Sequence, residues 1–184
     1  MNIEFADRVK RLPPYLFAEI EKLIKERKAR GVDLISLSIG DPDLPPPPFI
    51  IASLKEEVAN LKNHNYSFSQ GEPDFRQAVA DWYKKRFHVD LDQEEVIALL
   101  GSKEGIANIA RAFVNAGDRV LVPDPSYPVY ANGSTILNDG IPVSMPLLQE
   151  NGFKPDFEAV NPEKAKMMFL NYPNNPTNAT VDRD

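Results

Sequence analysis

The sequence predicts an α/β protein built on a mostly parallel sheet with crossover helices. Three observations carry that expectation. From Val96 onward, short apolar runs alternate with helical or turn-rich segments, the order that feeds parallel strands through crossovers. The run Val96 to Leu100 passes directly into Gly101-Ser102-Lys103-Glu104-Gly105 and then into an apolar period at Ile106, Ile109, Ala110 and Phe113, which reads as strand, small-residue turn and helix. A hydrophobic content of 42% in 184 residues supplies a real core, for one domain or for one domain with part of another.

The totals argue against several functional classes. Formal net charge is −6, from 27 acidic and 21 basic residues, and no basic run is long enough to follow a phosphodiester backbone, so no nucleic-acid partner is expected. Zero Cys excludes a disulfide framework and any thiolate metal site, and the two isolated histidines, His64 and His88, cannot build a His-rich one. No stretch approaches the roughly 18 apolar residues of a membrane span, and the charged N-terminus lacks a signal-peptide core. The expectation is a soluble, cytoplasmic protein with no membrane partner.

Residues Tyr15 to Arg30 place Leu16, Ile20, Leu23 and Ile24 on one face and end at Gly31, an amphipathic helix with a glycine stop. The basic run Lys25 to Arg30 is its solvated side. Leu34 to Ile39 alternates as a strand and enters a stiff loop, Gly40-Asp41-Pro42-Asp43-Leu44, followed by Pro45 to Pro48. Asp41 and Asp43 favour a turn over a cation site, because no further acidic cluster joins them. Ile51, Leu54, Val58 and Leu61 mark the next helix. Pro73 opens another, with Phe75, Val79, Trp82, Tyr83 and Phe87 as a bulky stripe expected to be buried. Tyr66, in the loop before it, has no periodic reason for burial and is open to a ligand role.

Val96 to Leu100 then reads as a buried strand, followed by the helix after Gly101 and a turn over Asn115 to Asp118. A strand is expected at Arg119 to Val122, a helix over Tyr127 to Leu137 and a turn at Asn138-Asp139-Gly140. Ile141 to Met145 reads as a strand, Asp156 to Val160 as a short helix and Lys166 to Asn171 as a last strand. Parallel sheets bind ligands beyond the carboxyl ends of their strands. Three loops follow such ends, at Gly101-Ser102-Lys103, at Pro125 to Tyr127 and at Asn171 to Thr177, and are expected to meet on one edge.

The turn Gly101-Ser102-Lys103 has neither the longer glycine loop of a P-loop nor the spacing of a dinucleotide fingerprint. It is either a compact seat for a phosphate monoester, made by backbone N–H groups and the Ser102 hydroxyl, or a tight structural turn. Tyr127, held between Pro125 and Pro128, would sit beside it as an aromatic lid. In Asn171-Tyr172-Pro173-Asn174-Asn175-Pro176-Thr177, an Asn amide fixed by the following Pro can point at a ring oxygen.

These motifs resemble the N-terminal part of a fold-type I, pyridoxal-phosphate-dependent aminotransferase of class I/II, in particular the LL-diaminopimelate aminotransferases and their near relatives. The resemblance runs from Asp7 onward, through Arg11 to Phe17, Gly40 to Asp43, Phe75 to Tyr83, Gly101 to Ala107, Pro123 to Tyr130 and Asn171 to Thr177. It implies an incomplete large domain plus the N-terminal part of the small domain. Residues 1–47 would be the N-terminal arm and small-domain portion, and residues 48–184 the first half of the cofactor-binding large domain.

The resemblance also implies pyridoxal 5′-phosphate as cofactor. Ser102 and Lys103, with the turn amides, would hold its phosphate; Tyr127 would stack on the pyridine ring and Asn175 would hydrogen-bond the ring's phenolic oxygen. Tyr66 would reach the phosphate of the neighbouring subunit in a homodimer, and the Gly40 backbone would lie beside the substrate's α-carboxylate. The implied reaction exchanges an amino group between an amino acid, LL-diaminopimelate or a related one, and a 2-oxo acid such as 2-oxoglutarate.

Three positions depart from the family pattern: Asn178 and Ser126 stand where Gly is usual, and Ala116 stands where Pro is usual. Asn tolerates a left-handed backbone better than most residues, so the Asn178 change is mild. The family's Schiff-base lysine, in a later Ser-x-Ser-Lys-like run, has no counterpart here, so no catalytic residue is assigned and Lys103 belongs to the phosphate loop. The expectation is an N-terminal fragment, inactive alone, whose Val96 to Leu100 strand lacks its sheet neighbours and leaves apolar edge exposed. A reading from a different class stays open: a non-catalytic binding or interaction module derived from the same fold.

Overall fold

A computed structural model describes residues 3–37, 40 and 42–182. The described residues form α1 (Asp7–Lys10), α2 (Leu16–Ala29), α3 (Pro48–Ala59), α4 (Pro73–Phe87), α5 (Ser102–Phe113) and three strands, β1 (Arg119–Asp124), β2 (Ile141–Pro146) and β3 (Met167–Met168). They divide into two compact units, Tyr15–Ala98 and Met1–Pro14 with Leu99–Asp184.

The unit Tyr15–Ala98 is helical. α2 stops at Arg30, followed by Gly31 with φ +76°, a backbone that glycine adopts without a Cβ penalty. α3 and α4 each open with a proline in the first turn, where the missing N–H would have no intrahelical partner in any case. The turn at Gln93–Glu95 is fixed by a capping box: Asp92 accepts from the Glu94 N–H, and Glu95 reaches back to the Asp92 N–H. Arg76 of α4 is buried and donates from Nη1 to Gln93 O at 2.9 Å and to Glu94 Oε1 at 3.0 Å.

Three expectations fail in this part of the chain. The stripe Phe75, Trp82, Tyr83 and Phe87 is exposed rather than buried, and α4 instead buries Arg76 and Ala80. A 3.6-residue period records that a helix has an apolar side; it does not supply the partner, and no strand of this unit covers it among the described residues. The rings pack on one another, Trp82 on Phe87 at 5.1 Å and on Tyr83 at 5.5 Å, edge to face. Val96 to Leu100 forms no strand, and Leu100 is 94% exposed. An apolar run becomes a strand only when a neighbour takes its backbone groups; the Ala98 N–H donates to Gln70 O, and no ladder follows. Leu34 to Leu37 is likewise irregular, while Ser38, Ile39 and Asp41 lie outside the described residues.

The other unit holds the sheet, in the order β2-β1-β3, with both pairings parallel. β1 pairs with β2 from Arg119↔Ile141 to Asp124↔Pro146 and with β3 at Val120↔Met167. Because β1 has a neighbour on each side, its middle is buried continuously, and so it reads as an unbroken apolar run. Val120, Val122, Val129 and Tyr130 form the core, with Ile106, Ala107 and Val114 packed on it from α5 and the residue after it. Gly133 allows close approach here: a Cβ would stand 2.9 Å from Val129 Cγ2.

The segment expected as a helix over Tyr127 to Leu137 is helical from Tyr130, wound as a π turn over Tyr130–Thr135 and then as a tighter turn over Ile136–Asn138. It ends on Asp139 with φ +61°. The short helix expected at Asp156 to Val160 is a single turn, in which Asp156 Oδ1 accepts from the Glu158 and Ala159 N–H groups. The last strand is shorter than its apolar run, spanning Met167–Met168. α1 is tied to this unit through Asp139, whose carboxylate accepts from Arg11 Nη2 at 2.6 Å and from Arg8 Nη1 at 3.4 Å.

Candidate functional site

The site is built on three connections within the sheet unit; those after β1 and β3 follow strand ends as expected, whereas the turn at Gly101 follows no strand because Val96 to Leu100 forms none. Gly101 takes φ +83° and lets the chain turn sharply into α5. Just before it, the Leu100 N–H donates to Glu104 Oε2 at 2.6 Å, while the Glu104 N–H donates to Gly101 O at 3.1 Å. No side chain caps α5, and its positive dipole end lies at the exposed Ser102 and Lys103. This suits an anion.

Tyr127 follows β1 by way of Pro125 and Ser126. Its ring meets Tyr130 edge to face at 6.1 Å, and Tyr130 in turn stacks on Phe169 at 4.7 Å. The orientation of Tyr127 is therefore set from the core outward. Burial pushes the Tyr130 hydroxyl above its ordinary value of 10.0, and the neighbouring Tyr127 adds to the rise. Lys103 Nζ lies 5.5 Å from the centroid of the Tyr127 ring, which brings the α5 turn to the β1 loop.

The third connection follows β3. Asn174 is buried, and its Nδ2 donates to Pro125 O at 3.3 Å and to Thr177 Oγ1 at 2.9 Å. Its backbone closes the loop, the N–H donating to Ala179 O at 2.9 Å and the carbonyl accepting from the Asn178 N–H at 2.7 Å. Asn178 holds φ +58°, the left-handed backbone that its side chain tolerates in place of the usual glycine. Tyr172 donates its hydroxyl to Phe153 O at 2.8 Å, and burial raises its pKa. Asn175 is exposed, directly beside the buried Asn174.

Ser102, Lys103, Tyr127 and Asn175 thus stand on three connections that meet. Tyr66 and Gly40 belong to the other unit, and both are exposed. Sequence reasoning missed Asn174 and the Tyr130–Phe169 stack; only the doubled Asn between two prolines signalled the first. No group of three or more His, Asp or Glu that could hold a metal ion occurs among the described residues. No described helix is long and apolar enough to cross a membrane.

A parallel sheet whose carboxyl edge gathers an uncapped helix N-terminus, an aromatic face and an amide defines an α/β protein, and that edge would suit an anionic, ring-bearing ligand. Residues 32–184 match the family described as aminotransferase class I and II, and the chain belongs to that family. It is 55% identical over 188 residues to an LL-diaminopimelate aminotransferase of Desulforudis audaxviator, covering 100% of this chain and 48% of that protein. A second, from Aquifex aeolicus, is 53% identical over 180 residues, covering 96% and 46%. The structure of apo BacF from Bacillus subtilis superposes with a TM-score of 0.89 at 41% identity, covering 99% of this chain and 47% of that one. The chain spans about half the length of the curated relatives it matches.

The fold is that of the fold-type I aminotransferases over this half, and class I and II aminotransferases depend on pyridoxal phosphate. The residues present fit that group. The α5 turn offers backbone donors, a hydroxyl and an ammonium to a phosphate, and Tyr127 offers an aromatic face beside it.

Proposed function

We propose that this chain forms the cofactor-phosphate part of an aminotransferase, and that the whole protein moves an amino group between an amino acid and a 2-oxo acid. The observation that carries this reading is the convergence of the three connections through the Lys103–Tyr127 and Asn174–Pro125 contacts. When bound, pyridoxal phosphate supplies an electron sink for the carbanion at the substrate's Cα.

In this reading the residues of the chain bind and orient. Ser102, Lys103 and the first-turn N–H groups of α5 hold the phosphate, Tyr127 covers one ring face, and Asn175 donates to the phenolic oxygen. Tyr66 serves the phosphate of the neighbouring subunit in a homodimer, and the Gly40 backbone lies beside the substrate's α-carboxylate. Residues 1–47 serve as the arm and small-domain portion, and residues 48–184 as large domain. The chain offers no Schiff-base lysine, so the proton transfer at Cα is assigned to none of its side chains.

The relatives' names favour LL-diaminopimelate as the amino donor; 2-oxoglutarate as acceptor, a cytoplasmic location and a place in lysine biosynthesis are what the family resemblance adds to the proposal. The test is an assay of the whole protein with pyridoxal phosphate, 2-oxoglutarate and, in parallel, LL-diaminopimelate, alanine, aspartate and an aromatic amino acid. Glutamate formation fastest with LL-diaminopimelate is expected. Preference for another donor corrects the substrate, and no transfer from any of them contradicts the reading.

A further inference from the structure

We propose that Asn174 is a positioning residue of the cofactor seat: its buried amide locks the loop carrying Asn175 to the loop carrying Tyr127, so that the edge and face contacts to the ring move as one body. The inference rests on the pyridoxal phosphate reading above and adds to it a residue that is not assigned a contact with cofactor or substrate.

Asn174 and Asn175 are identical neighbours with opposite surroundings. Asn174 is 1% exposed, whereas Asn175 is open to solvent. The Nδ2 of Asn174 forks to two acceptors: Pro125 O, two residues before Tyr127, and Thr177 Oγ1, two residues after Asn175. Proline fixes its own φ, so a bond to the Pro125 carbonyl anchors a stiff lead into Tyr127. A forked tie of this kind needs two N–H groups on one atom. Ser and Thr offer one O–H, and Lys would bring a charge into a buried site; a primary amide supplies both donors without charge.

The other end of the same amide argues that the tie is there for geometry. Oδ1 is buried and has no hydrogen-bond partner among the described residues. An unmet buried acceptor is a cost that a residue selected for stability alone would avoid.

The test uses the whole protein, with Asn174→Leu, which nearly keeps the shape and removes the donor without adding a charge, and Asn174→Ala, which removes the amide. Binding of pyridoxal phosphate and of inorganic phosphate to the apoprotein is measured by equilibrium dialysis. Induced circular dichroism in the cofactor band reads the orientation of the ring.

Both variants are expected to bind inorganic phosphate within about twofold of the parent chain, because the α5 turn is untouched, and to bind pyridoxal phosphate about tenfold more weakly. Their induced dichroism at saturation should be lost or inverted. Unchanged affinity with unchanged dichroism overturns the assignment. So does an equal loss of phosphate and pyridoxal phosphate binding, or loss of the far-ultraviolet helical signal in both variants, since Asn174 would then be structural only. A parent chain that binds inorganic phosphate and not pyridoxal phosphate overturns the cofactor reading itself, and the role of Asn174 with it.

Discussion

Lys103 Nζ stands 5.5 Å from the centroid of the Tyr127 ring, a contact that brings the α5 turn to the loop after β1. Tyr127→Phe is expected to keep pyridoxal phosphate affinity within about twofold, since the face is retained. Tyr127→Ala should lose about tenfold, the scale of an aromatic stack beyond area burial. Lys103→Gln should weaken binding and flatten its dependence on salt, because the lost contribution is a charge. Titrations at low and high ionic strength check all three.

Ser102 separates phosphate recognition from ring recognition. Its hydroxyl stands in the first turn of α5, next to N–H groups that no side chain caps. Ser102→Ala should weaken pyridoxal phosphate and inorganic phosphate alike, by about tenfold, the scale of one hydrogen bond to a charged group. Pyridoxal, which lacks the phosphate, should bind the variant and the parent equally. Competition dialysis with the three ligands reads the difference.

Asp139 gathers Arg8 and Arg11 from the N-terminal segment. The two bonds look substantial at 3.4 Å and 2.6 Å, yet the side chains involved are 41% to 48% exposed. Solvent screening keeps such pairs within about 1 kcal/mol. Asp139→Asn should therefore lower stability by less than about 1 kcal/mol in urea, an effect that shrinks in high salt, while raising the rate of proteolysis before Pro14.

The buried phenol of Tyr130 gives the sheet unit an alkaline limit. Its pKa is raised above 10.0, first by burial and then by Tyr127. The folded state therefore holds this proton more tightly than the unfolded chain does. Stability from this group is complete below about pH 10 and is lost as the pH rises through the folded value. Thermal unfolding at pH 8 and pH 11 should show a loss that Tyr130→Phe reduces, the stack on Phe169 being retained.

Much of the sheet unit was legible in the sequence because its signals are local. Arg119 to Val122 and Ile141 to Met145 are short apolar runs bounded by turn residues, and both became paired parallel strands. Gly101 lies between an apolar run and a helical period, and it marks the α5 turn. What was not legible depended on partners. Phe75, Trp82 and Phe87 have the spacing of a buried stripe, but spacing cannot say what covers it; Val96 to Leu100 has the composition of a strand yet pairs with none among the described residues. Asn174 escaped for another reason: burial of a polar residue is a property of the packed loop, and the adjacent Asn175 carries the same side chain to the opposite fate.

The most direct test of the central claim is the binding of pyridoxal phosphate to the 184-residue chain, followed by equilibrium dialysis with inorganic phosphate as competitor. Saturable binding that phosphate displaces, weakened by both Ser102→Ala and Tyr127→Ala and accompanied by no transamination, is the expected result. Absence of saturable binding by the folded chain, or binding indifferent to both substitutions, would contradict the account.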